Sequence, residues 1–292
     1  MKILPNQRIL ETLRCPICNS PMMLTSGESS VSLLCLGARR HCYDVSSNGY
    51  VNLMPPGHTA GGDSKQAVRA RTDFLNLELY RPVADALVTL LQRYAPGADR
   101  VVVDAGCGEG YYTAIMANHG FFLAGVDLSR AGAEATAKRL ARQGVSSAFV
   151  GVSSVFSMPF ATESIDVVTN IFAPCAEKEF ARVLRPDGIL AVVYAGPDHL
   201  MGLKQALYDE TKTNEERADL PKQMELLDEI SVKLEISVFG QEHLQNLFTM
   251  TPYYWRTSPS DSEKLKQLEQ LTTPVDMRIA IYRKNAVQQE EA

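Results

Sequence analysis

Between residues 101 and 194 the chain alternates short apolar runs with segments whose apolar positions recur at helical spacing. Each apolar run has the length of a buried strand, and each segment between two runs is long enough for a helix that crosses back over a sheet. Strands are predicted at 101–104, 121–126, 148–152, 165–172 and 189–194, and helices near 111–119, 130–142 and 180–184. This pattern predicts an α/β fold with a parallel, doubly wound sheet.

The flanking segments predict helices before the sheet and an antiparallel edge after it. Before the sheet, the predictions are a short helix within 1–14, a hairpin turn at 48–49, a linker over 55–62, and helices after residue 64 and from 83 to 94. A turn is predicted at 185–188, a helix from 199 to 212, and an exposed, mobile connection over 210–221. The last predictions are strands at 232–239 and 275–282 with a helix at 241–249 between them, and a disordered acidic tail. The two helices before the sheet are expected to cover one mouth of a ligand pocket.

Composition is that of an ordinary globular protein. The 292 residues are 45% hydrophobic and 22% charged, which allows one large domain and a small one. Neither a membrane-spanning apolar run nor a signal-like N-terminus is present in the sequence, so a cytoplasmic location is expected. The net charge is −5, yet residues 1–80 contain eight Lys or Arg against six Asp or Glu. The basic excess at this end favours a polyanionic partner there.

A glycine-rich turn follows the first predicted strand. Gly106, Gly108 and Gly110 alternate with other residues directly after Asp104, at the point where the strand meets a helix. Glycines in this position allow a tight turn and let a ligand lie against the backbone. The spacing differs from the dinucleotide pattern, and a carboxylate at Asp104 would repel a pyrophosphate. We therefore expect a cationic ligand that resembles an amino acid.

Two further groups extend this ligand site. Asp127 ends the second strand about twenty residues after the first glycine, where an acid accepts hydrogen bonds from ribose hydroxyls. Ser153 and Ser154 follow the third strand, in a loop expected to flank an adenine. Together, the glycine turn and Asp127 resemble the S-adenosylmethionine signature of Rossmann-like class I methyltransferases. A glycine turn without a ligand is the less favoured alternative.

Six cysteines in a cytoplasmic protein point to metal binding rather than to disulfides. Cys15 and Cys18 form one Cys-x-x-Cys pair, and Cys35 is followed by the adjacent residues His41 and Cys42. Two such halves suit a tetrahedral structural Zn²⁺ ion, although the chemistry alone leaves His41 and Cys42 equally good as fourth ligand. A reduced, metal-free cluster is the alternative.

The residues after the fourth strand are candidates for the acceptor site. Phe172, Ala173 and Pro174 lie at the carboxyl end of that strand, where ligands of open α/β sheets bind. An aromatic ring and a proline can enclose a planar base, and carbonyls left unpaired by the proline can accept its N–H groups. The alternative is that these residues only end the strand and pack. Cys175 lacks a nearby base, so an inert thiol is expected rather than a nucleophile.

One histidine stands out from the others. His199 follows the fifth strand at the same edge of the predicted sheet. It could act as a general base, bind the cofactor's methionine carboxylate or cap the next helix, and cofactor contact is the favoured role.

The motifs taken together resemble the bacterial 23S rRNA guanine-N1 methyltransferases of the RlmA family, including the TlrB-type branch linked to macrolide resistance. The motifs that carry this resemblance are Cys15-x2-Cys18-x16-Cys35-x5-His41, Gly-Tyr-Val-Asn-Leu at 49–53, Gly-Asp-Ser at 62–64, Tyr80, Asp-x-Gly-Cys-Gly-Glu-Gly-Tyr-Tyr-Thr at 104–113, Phe-Ala-Pro-Cys at 172–175, Gly-Pro-x-His-Leu at 196–200 and Met-Thr-Pro-Tyr-Tyr-Trp-Arg at 250–256. They span nearly the whole chain.

The resemblance implies a zinc-binding RNA-recognition domain at 1–54 and an S-adenosylmethionine-dependent methyltransferase domain at 55–292. It also implies a homodimer that binds an rRNA hairpin in domain II, with His41 as the fourth zinc ligand. Cofactor contacts are implied at Tyr80, Glu109, Gly110 and His199. The extra Cys42 departs from the family pattern.

The expected reaction is methylation of guanine N1 in 23S rRNA, for which the sequence identifies no general base. A backbone carbonyl near Ala173 is expected to accept the N1 hydrogen. Two alternatives stay open at this point: a methyltransferase acting on a small molecule such as a quinone or polyketide, and a non-catalytic zinc-containing RNA-binding protein.

Overall fold

The computed structural model describes residues 2–27, 30–55, 57, 61–97, 99–145, 147–215 and 217–285. Four of the eight residues of the predicted linker, at positions 56 and 58–60, and residues 286–292 of the predicted acidic tail lie outside these residues. None of the helices in the described part of the chain has the length and apolar character needed to cross a membrane.

Most of the helices begin at a capping side chain or at a glycine. In chain order they are α1 (Gln7–Thr12), α2 (Lys65–Leu75), α3 (Arg81–Tyr94), α4 (Tyr111–Ala117), α5 (Arg130–Arg142), α6 (Glu177–Val183), α7 (Met201–Leu207), α8 (Gln241–Thr249) and α9 (Pro259–Leu265). Ser64 caps α2 and Ser129 caps α5, each accepting a backbone N–H through its side chain. Serines at these positions satisfy donors that a helix start leaves free.

Two sheets contain all the named strands. In chain order these are β1 (Met22–Ser26), β2 (Val31–Cys35), β3 (Cys42–Asp44), β4 (Val51–Asn52), β5 (Val101–Ala105), β6 (Phe122–Asp127), β7 (Ala148–Val152), β8 (Ile165–Ile171), β9 (Leu184–Ala195), β10 (Glu225–Phe239) and β11 (Gln270–Arg283). The first three form a small antiparallel sheet, and the other eight lie in the order β10-β11-β9-β8-β5-β6-β7-β4.

The large sheet confirms the predicted α/β fold. Its central strands run parallel, and β9, β11 and β10 pair antiparallel at one edge. All five residues of β5 and all seven of β8 are buried, as expected for strands covered by helices on both faces. Strand β6 lies on one side of β5, and β8, which comes later in the chain, lies on the other side of β5. Such a reversal opens a crevice at the carboxyl ends of the strands.

The N-terminal segment is attached directly to this sheet. Val51 and Asn52 pair in parallel with Gly151 and Val152, so β4 is the last strand of the large sheet. The Arg14 amide also donates to the Pro159 carbonyl at 2.9 Å. The predicted hairpin turn is present as a tight turn at Gly49, whose φ is +94°. A domain boundary at residue 54 remains a prediction.

Several predicted boundaries were wrong. The strand predicted to begin at Ile189 has its first residue at Leu184, which pairs with Ile165; residues 185–188 still turn without pairing, with Asp187 at a φ of +60°, and pairing resumes at Ile189. The helix predicted to reach Lys212 ends at Leu207, ahead of a polar stretch with little apolar surface to bury. Strands β10 and β11 are longer than predicted because they pair with each other along almost their whole length.

Candidate cofactor and acceptor site

The glycine turn lies where the sequence places it, and its backbone explains the glycines. Gly106, Gly108 and Gly110 have φ values of +88°, +54° and +81°, which side chains rarely tolerate. A Cβ on Gly106 would lie 2.5 Å from the Cβ of Ala173, and one on Gly110 would lie 2.9 Å from Thr136. The turn therefore touches the predicted acceptor loop directly.

Asp127 is joined to this turn through backbone hydrogen bonds. Its Oδ2 accepts from the Gly108 amide at 2.9 Å, and its Oδ1 accepts from the Ser129 amide at 2.7 Å. The Ser153 amide donates to the Asp127 carbonyl at 3.0 Å, which brings the end of β7 beside the carboxylate. Ser154 follows, and its hydroxyl accepts from the Phe156 amide. The structure thus brings the predicted ribose and adenine elements to one edge of the sheet.

Asp104 is a buried acid, with only 2% of its surface exposed. Its carboxylate accepts from the Thr113 hydroxyl at 2.5 Å and from the Thr169 hydroxyl at 3.0 Å. Burial raises the pKa of Asp104 to about 6, against the lowering effect of these two hydroxyls. The nearby Glu109 and Asp127 carboxylates also raise this pKa, so a cationic group bound nearby would favour the charged form of Asp104.

Helix α2 lies over the glycine turn, as predicted. It contributes Arg71, a charged residue that the sequence patterns do not mark as part of the site. The Arg71 Nη1 lies 3.7 Å from the buried Glu109 carboxylate, and Arg71 also pairs with Asp63. A Cβ on Gly108 would lie 3.1 Å from the same Nη1. Arg71 therefore sits directly over the glycine turn and balances the charge of Glu109.

A row of aromatic rings leads from the helices to the acceptor loop. The Tyr80 and His199 ring centroids are 6.1 Å apart, and the His199 and Phe172 rings stack at 6.1 Å with an angle of 25°. Burial lowers the pKa of His199 to about 4, so its imidazole is neutral at pH 7. His199, a predicted cofactor residue, is thus adjacent both to Tyr80 and to the predicted acceptor residue Phe172.

Buried polar atoms without a hydrogen-bond partner in this region include the Tyr80 hydroxyl, the Tyr112 hydroxyl and the His199 Nδ1. An unpaired buried polar atom costs free energy, and native proteins rarely retain one without a ligand or water to satisfy it. A polar ligand therefore fits here. Tyr112 was missed in the sequence, although it directly follows the glycine turn and Tyr111 at a helix start.

The acceptor loop differs from the prediction in one respect. Phe172 is 48% exposed at a φ of +51°, a strained conformation for an aromatic residue. The predicted free carbonyls are instead occupied: the Ala173 oxygen accepts from Arg217 Nη2 at 2.7 Å, and the Pro174 oxygen accepts from Asn170 Nδ2 at 3.1 Å. The prediction was wrong because Arg217 comes from a segment expected to be exposed and mobile. Burial raises the pKa of the Cys175 thiol to about 11, in agreement with an inert cysteine.

The turn that carries His199 is fixed from two sides. The Asp276 carboxylate, 1% exposed on β11, accepts from the Asp198 amide at 3.2 Å. The side-chain amide of Asn214 donates to the Gly196 and His199 carbonyls at 3.0 Å each. Sequence patterns do not reveal these supports, because both residues lie far from the turn along the chain.

The cysteine cluster is a separate group in the N-terminal segment. The ligand atoms of Cys15, Cys18, Cys35 and His41 all lie within 4.8 Å of one another, and Cys42 does not belong to this group. The Cys18 Sγ lies 3.2 Å from the Cys35 Sγ and 3.6 Å from the His41 Nδ1. A hydrogen bond with Ser20 lowers the pKa of Cys18 to about 6 and favours its thiolate. Three thiols and one imidazole at these separations fit the tetrahedral Zn²⁺ geometry.

Two family models match the chain. Residues 103–192 match a family described as "Methyltransferase domain", and residues 13–60 match a zinc-ribbon family described as "RlmA, N-terminal". A methyltransferase domain of the Rossmann-like type therefore follows an N-terminal zinc-ribbon segment.

The curated relatives decide the family. YxjB of Bacillus subtilis (strain 168), provisionally named a 23S rRNA (guanine-N(1)-)-methyltransferase, is 31% identical over 281 residues, which cover 92% of this chain and 95% of the relative. This chain belongs to the 23S rRNA (guanine-N1)-methyltransferase family. A similarly named protein of Micromonospora griseorubida is 29% identical over 94% of this chain and 98% of the relative. The 23S rRNA (guanine(748)-N(1))-methyltransferase of Streptomyces fradiae is 32% identical over 69% of each chain.

Membership of the 23S rRNA (guanine-N1)-methyltransferase family accounts for both halves of the chain. The crevice at β5, β6 and β8 belongs to the methyltransferase domain, and the Cys/His cluster belongs to the zinc-ribbon segment.

Proposed function

We propose that this protein transfers the methyl group of S-adenosylmethionine to N1 of a guanine in a 23S rRNA hairpin. The names of the relatives support this reaction. The observation that carries it is the contact between the glycine turn and the acceptor loop, where Gly106 leaves no room for a Cβ against Ala173. A methyl donor on the turn and a base at the loop would be close enough to react.

In this proposal the cofactor lies along the glycine turn in an extended pose. Asp127 accepts hydrogen bonds from the ribose hydroxyls, and Ser153 and Ser154 flank the adenine. The amino-acid end lies toward Asp104 and Glu109, whose burial favours a cationic group. Tyr80 and His199 cover this end of the pocket, and the absence of hydrogen-bond partners for their polar atoms supports their role.

S-adenosylmethionine supplies an electrophilic methyl group, and the chain supplies position and surroundings for it. Guanine N1 is buried when the base is paired, so the base must leave its stack before it can react. Phe172, a half-exposed residue beside His199, offers a face on which that base can stack. N1 must lose its proton during transfer, and close approach in a site that excludes water would contribute most of the acceleration.

The Cys/His cluster would hold a structural zinc ion through Cys15, Cys18, Cys35 and His41. So small a three-stranded sheet buries little apolar surface, and a bound metal would supply much of its folding free energy. The zinc-binding segment would help to hold the RNA hairpin, consistent with the basic excess of residues 1–80. A cytoplasmic location, where an rRNA substrate would be met, and a homodimer that would give the hairpin a longer cleft belong to this proposal.

The test uses unmodified 23S rRNA and labelled S-adenosylmethionine. A methyl group at N1 blocks Watson–Crick pairing, so primer extension should stop at one guanine in treated RNA and read through it in untreated RNA. Label incorporated without such a stop would rule out N1 as the acceptor. Failure to incorporate label at all would refute rRNA methylation.

A further inference from the structure

We infer that Asn170 and the Ala173 carbonyl form a recognition pair for the 2-amino group of the acceptor guanine, and that Arg217 occupies this pair when no RNA is bound. This inference rests on the proposed function. It names the residues that would distinguish guanine from other bases, and a substrate lacking only the 2-amino group tests it separately.

The contacts that support this inference are made by one nitrogen, Nη2 of Arg217. Arg217 Nη2 donates to the Ala173 carbonyl at 2.7 Å and to the Asn170 Oδ1 at 3.1 Å. The same nitrogen lies 3.2 Å from the Asp219 Oδ2. The two hydrogens of this amino group therefore face three acceptors, and two of these lie at the carboxyl end of β8 and in the loop after it.

Guanine presents the same chemistry. Its N1, N3 and 2-amino nitrogen surround C2 as a guanidine unit, and the 2-amino group is planar with two hydrogens, like Nη2 of arginine. A site with two converging acceptors suits that group and leaves the neighbouring N1 free to face the methyl donor. Adenine has no amino group at C2, and the pyrimidines present a different edge.

Both acceptors are held in fixed positions. Asn170 is completely buried, and its Nδ2 donates to the Pro174 carbonyl at 3.1 Å, so the Oδ1 is the end that faces Arg217. Ala173 is pressed against Gly106 of the glycine turn. The recognition pair thus lies at the boundary between the proposed cofactor site and the proposed acceptor site.

Arg217 can leave without unfolding the sheet, because it belongs to the connection between α7 and β10. Its Nε donates to Asp219 at 2.5 Å, and the Asp219 carboxylate also accepts from the Cys175 amide at 3.0 Å. These few contacts hold the arginine over the loop. Entry of a guanine would exchange one planar amino group for another at the same two oxygens.

The experiment compares two synthetic RNA hairpins that differ by one group. Once primer extension has located the methylated guanine, the hairpin is made with guanosine or with inosine at that position. Inosine retains the 6-oxo group and the N1–H but lacks the 2-amino group. The wild-type kcat/KM should be roughly 10- to 100-fold higher for guanosine, because inosine leaves two buried acceptors unpaired.

Variants separate recognition from folding. Asn170→Ala should bring the guanosine-to-inosine ratio close to one, whereas Asn170→Asp, which keeps an acceptor oxygen, should restore much of it. Arg217→Ala should keep the ratio and lower the KM for the guanosine hairpin, because the competing group is gone. Asn118→Ala and Arg93→Ala, at exposed positions, serve as controls that should change neither quantity.

Several results would overturn the inference. Equal wild-type efficiency on both hairpins would remove the role of the 2-amino group, and an unchanged ratio in Asn170→Ala would remove Asn170. A higher KM in Arg217→Ala would show that the arginine supports substrate binding instead of occupying its place. If the wild-type protein methylates neither hairpin, the proposed function itself fails.

Discussion

Replacing Asp104 with asparagine should stabilise the cofactor-free protein at pH 8 and weaken cofactor binding. Burial raises the pKa of Asp104 from its ordinary value of 3.8 to about 6, so the folded state holds its proton more tightly than the unfolded state. A difference of about two units, at about 1.4 kcal/mol for each, amounts to about 3 kcal/mol. That penalty is fully present above pH 6 and disappears as the pH falls toward 4, where the folded wild-type carboxyl is protonated.

An asparagine stays neutral at every pH and removes this dependence. Its amide also alters the hydrogen bonds to Thr113 and Thr169, at a cost of about 1 kcal/mol that does not vary with pH. The free energy of unfolding of Asp104→Asn, relative to wild type, should therefore be about 2 to 3 kcal/mol higher at pH 8 than at pH 4.

Urea denaturation at a series of pH values measures this difference, with Asp99→Asn as a control at an exposed position. Calorimetric titration with S-adenosylmethionine at pH 8 should show a Kd at least 10-fold higher for Asp104→Asn, because a partner for the cofactor's ammonium group is lost. A stability difference that is the same at pH 4 and pH 8 would refute the electrostatic reasoning. An unchanged Kd would remove Asp104 from the cofactor site.

Three further predictions concern the metal, the cofactor pocket and the acceptor loop. Cys18→Ala should lose the single zinc ion measured by plasma mass spectrometry, whereas Cys42→Ala should retain it; equal zinc content in both would argue against the Cys/His cluster. Tyr112→Phe should raise the Kd for S-adenosylmethionine about 5- to 10-fold without lowering the melting temperature of the cofactor-free protein, because its hydroxyl has no partner there. Phe172→Ala should lower kcat/KM on RNA at least 10-fold through lost base stacking. Its Kd for the cofactor should stay at the wild-type value, and a parallel loss of cofactor affinity would contradict a stacking role.

The parallel sheet could be predicted from sequence because each of its central strands is a continuous apolar run with a helix on either side. Strand ends were harder to place, since they depend on partners. Strand β9 starts at Leu184 only because Ile165 pairs with it there, and no local pattern marks that pairing. Helix α9 was missed because its seven residues carry a single buried side chain, Leu265.

Some residues of the candidate site could likewise be predicted from sequence, and others could not. The glycine turn, Asp127 and the Cys-x-x-Cys pair could be found because local spacing carries their chemistry. Arg217 could not, because its partners lie 44 and 47 residues away in the chain and it belongs to a largely polar stretch. A polar sequence predicts a mobile connection. Only the fold shows that Arg217 and Asp219 of this connection form hydrogen bonds with the acceptor loop.

The most direct test of the central claim is nucleoside analysis of 23S rRNA. Unmodified rRNA is incubated with the purified protein and S-adenosylmethionine, digested to nucleosides and separated by liquid chromatography with mass detection. Methylation at N1 of guanine predicts one new nucleoside that elutes with 1-methylguanosine. A methylated nucleoside that elutes with another isomer, or no methylated product, would contradict the account.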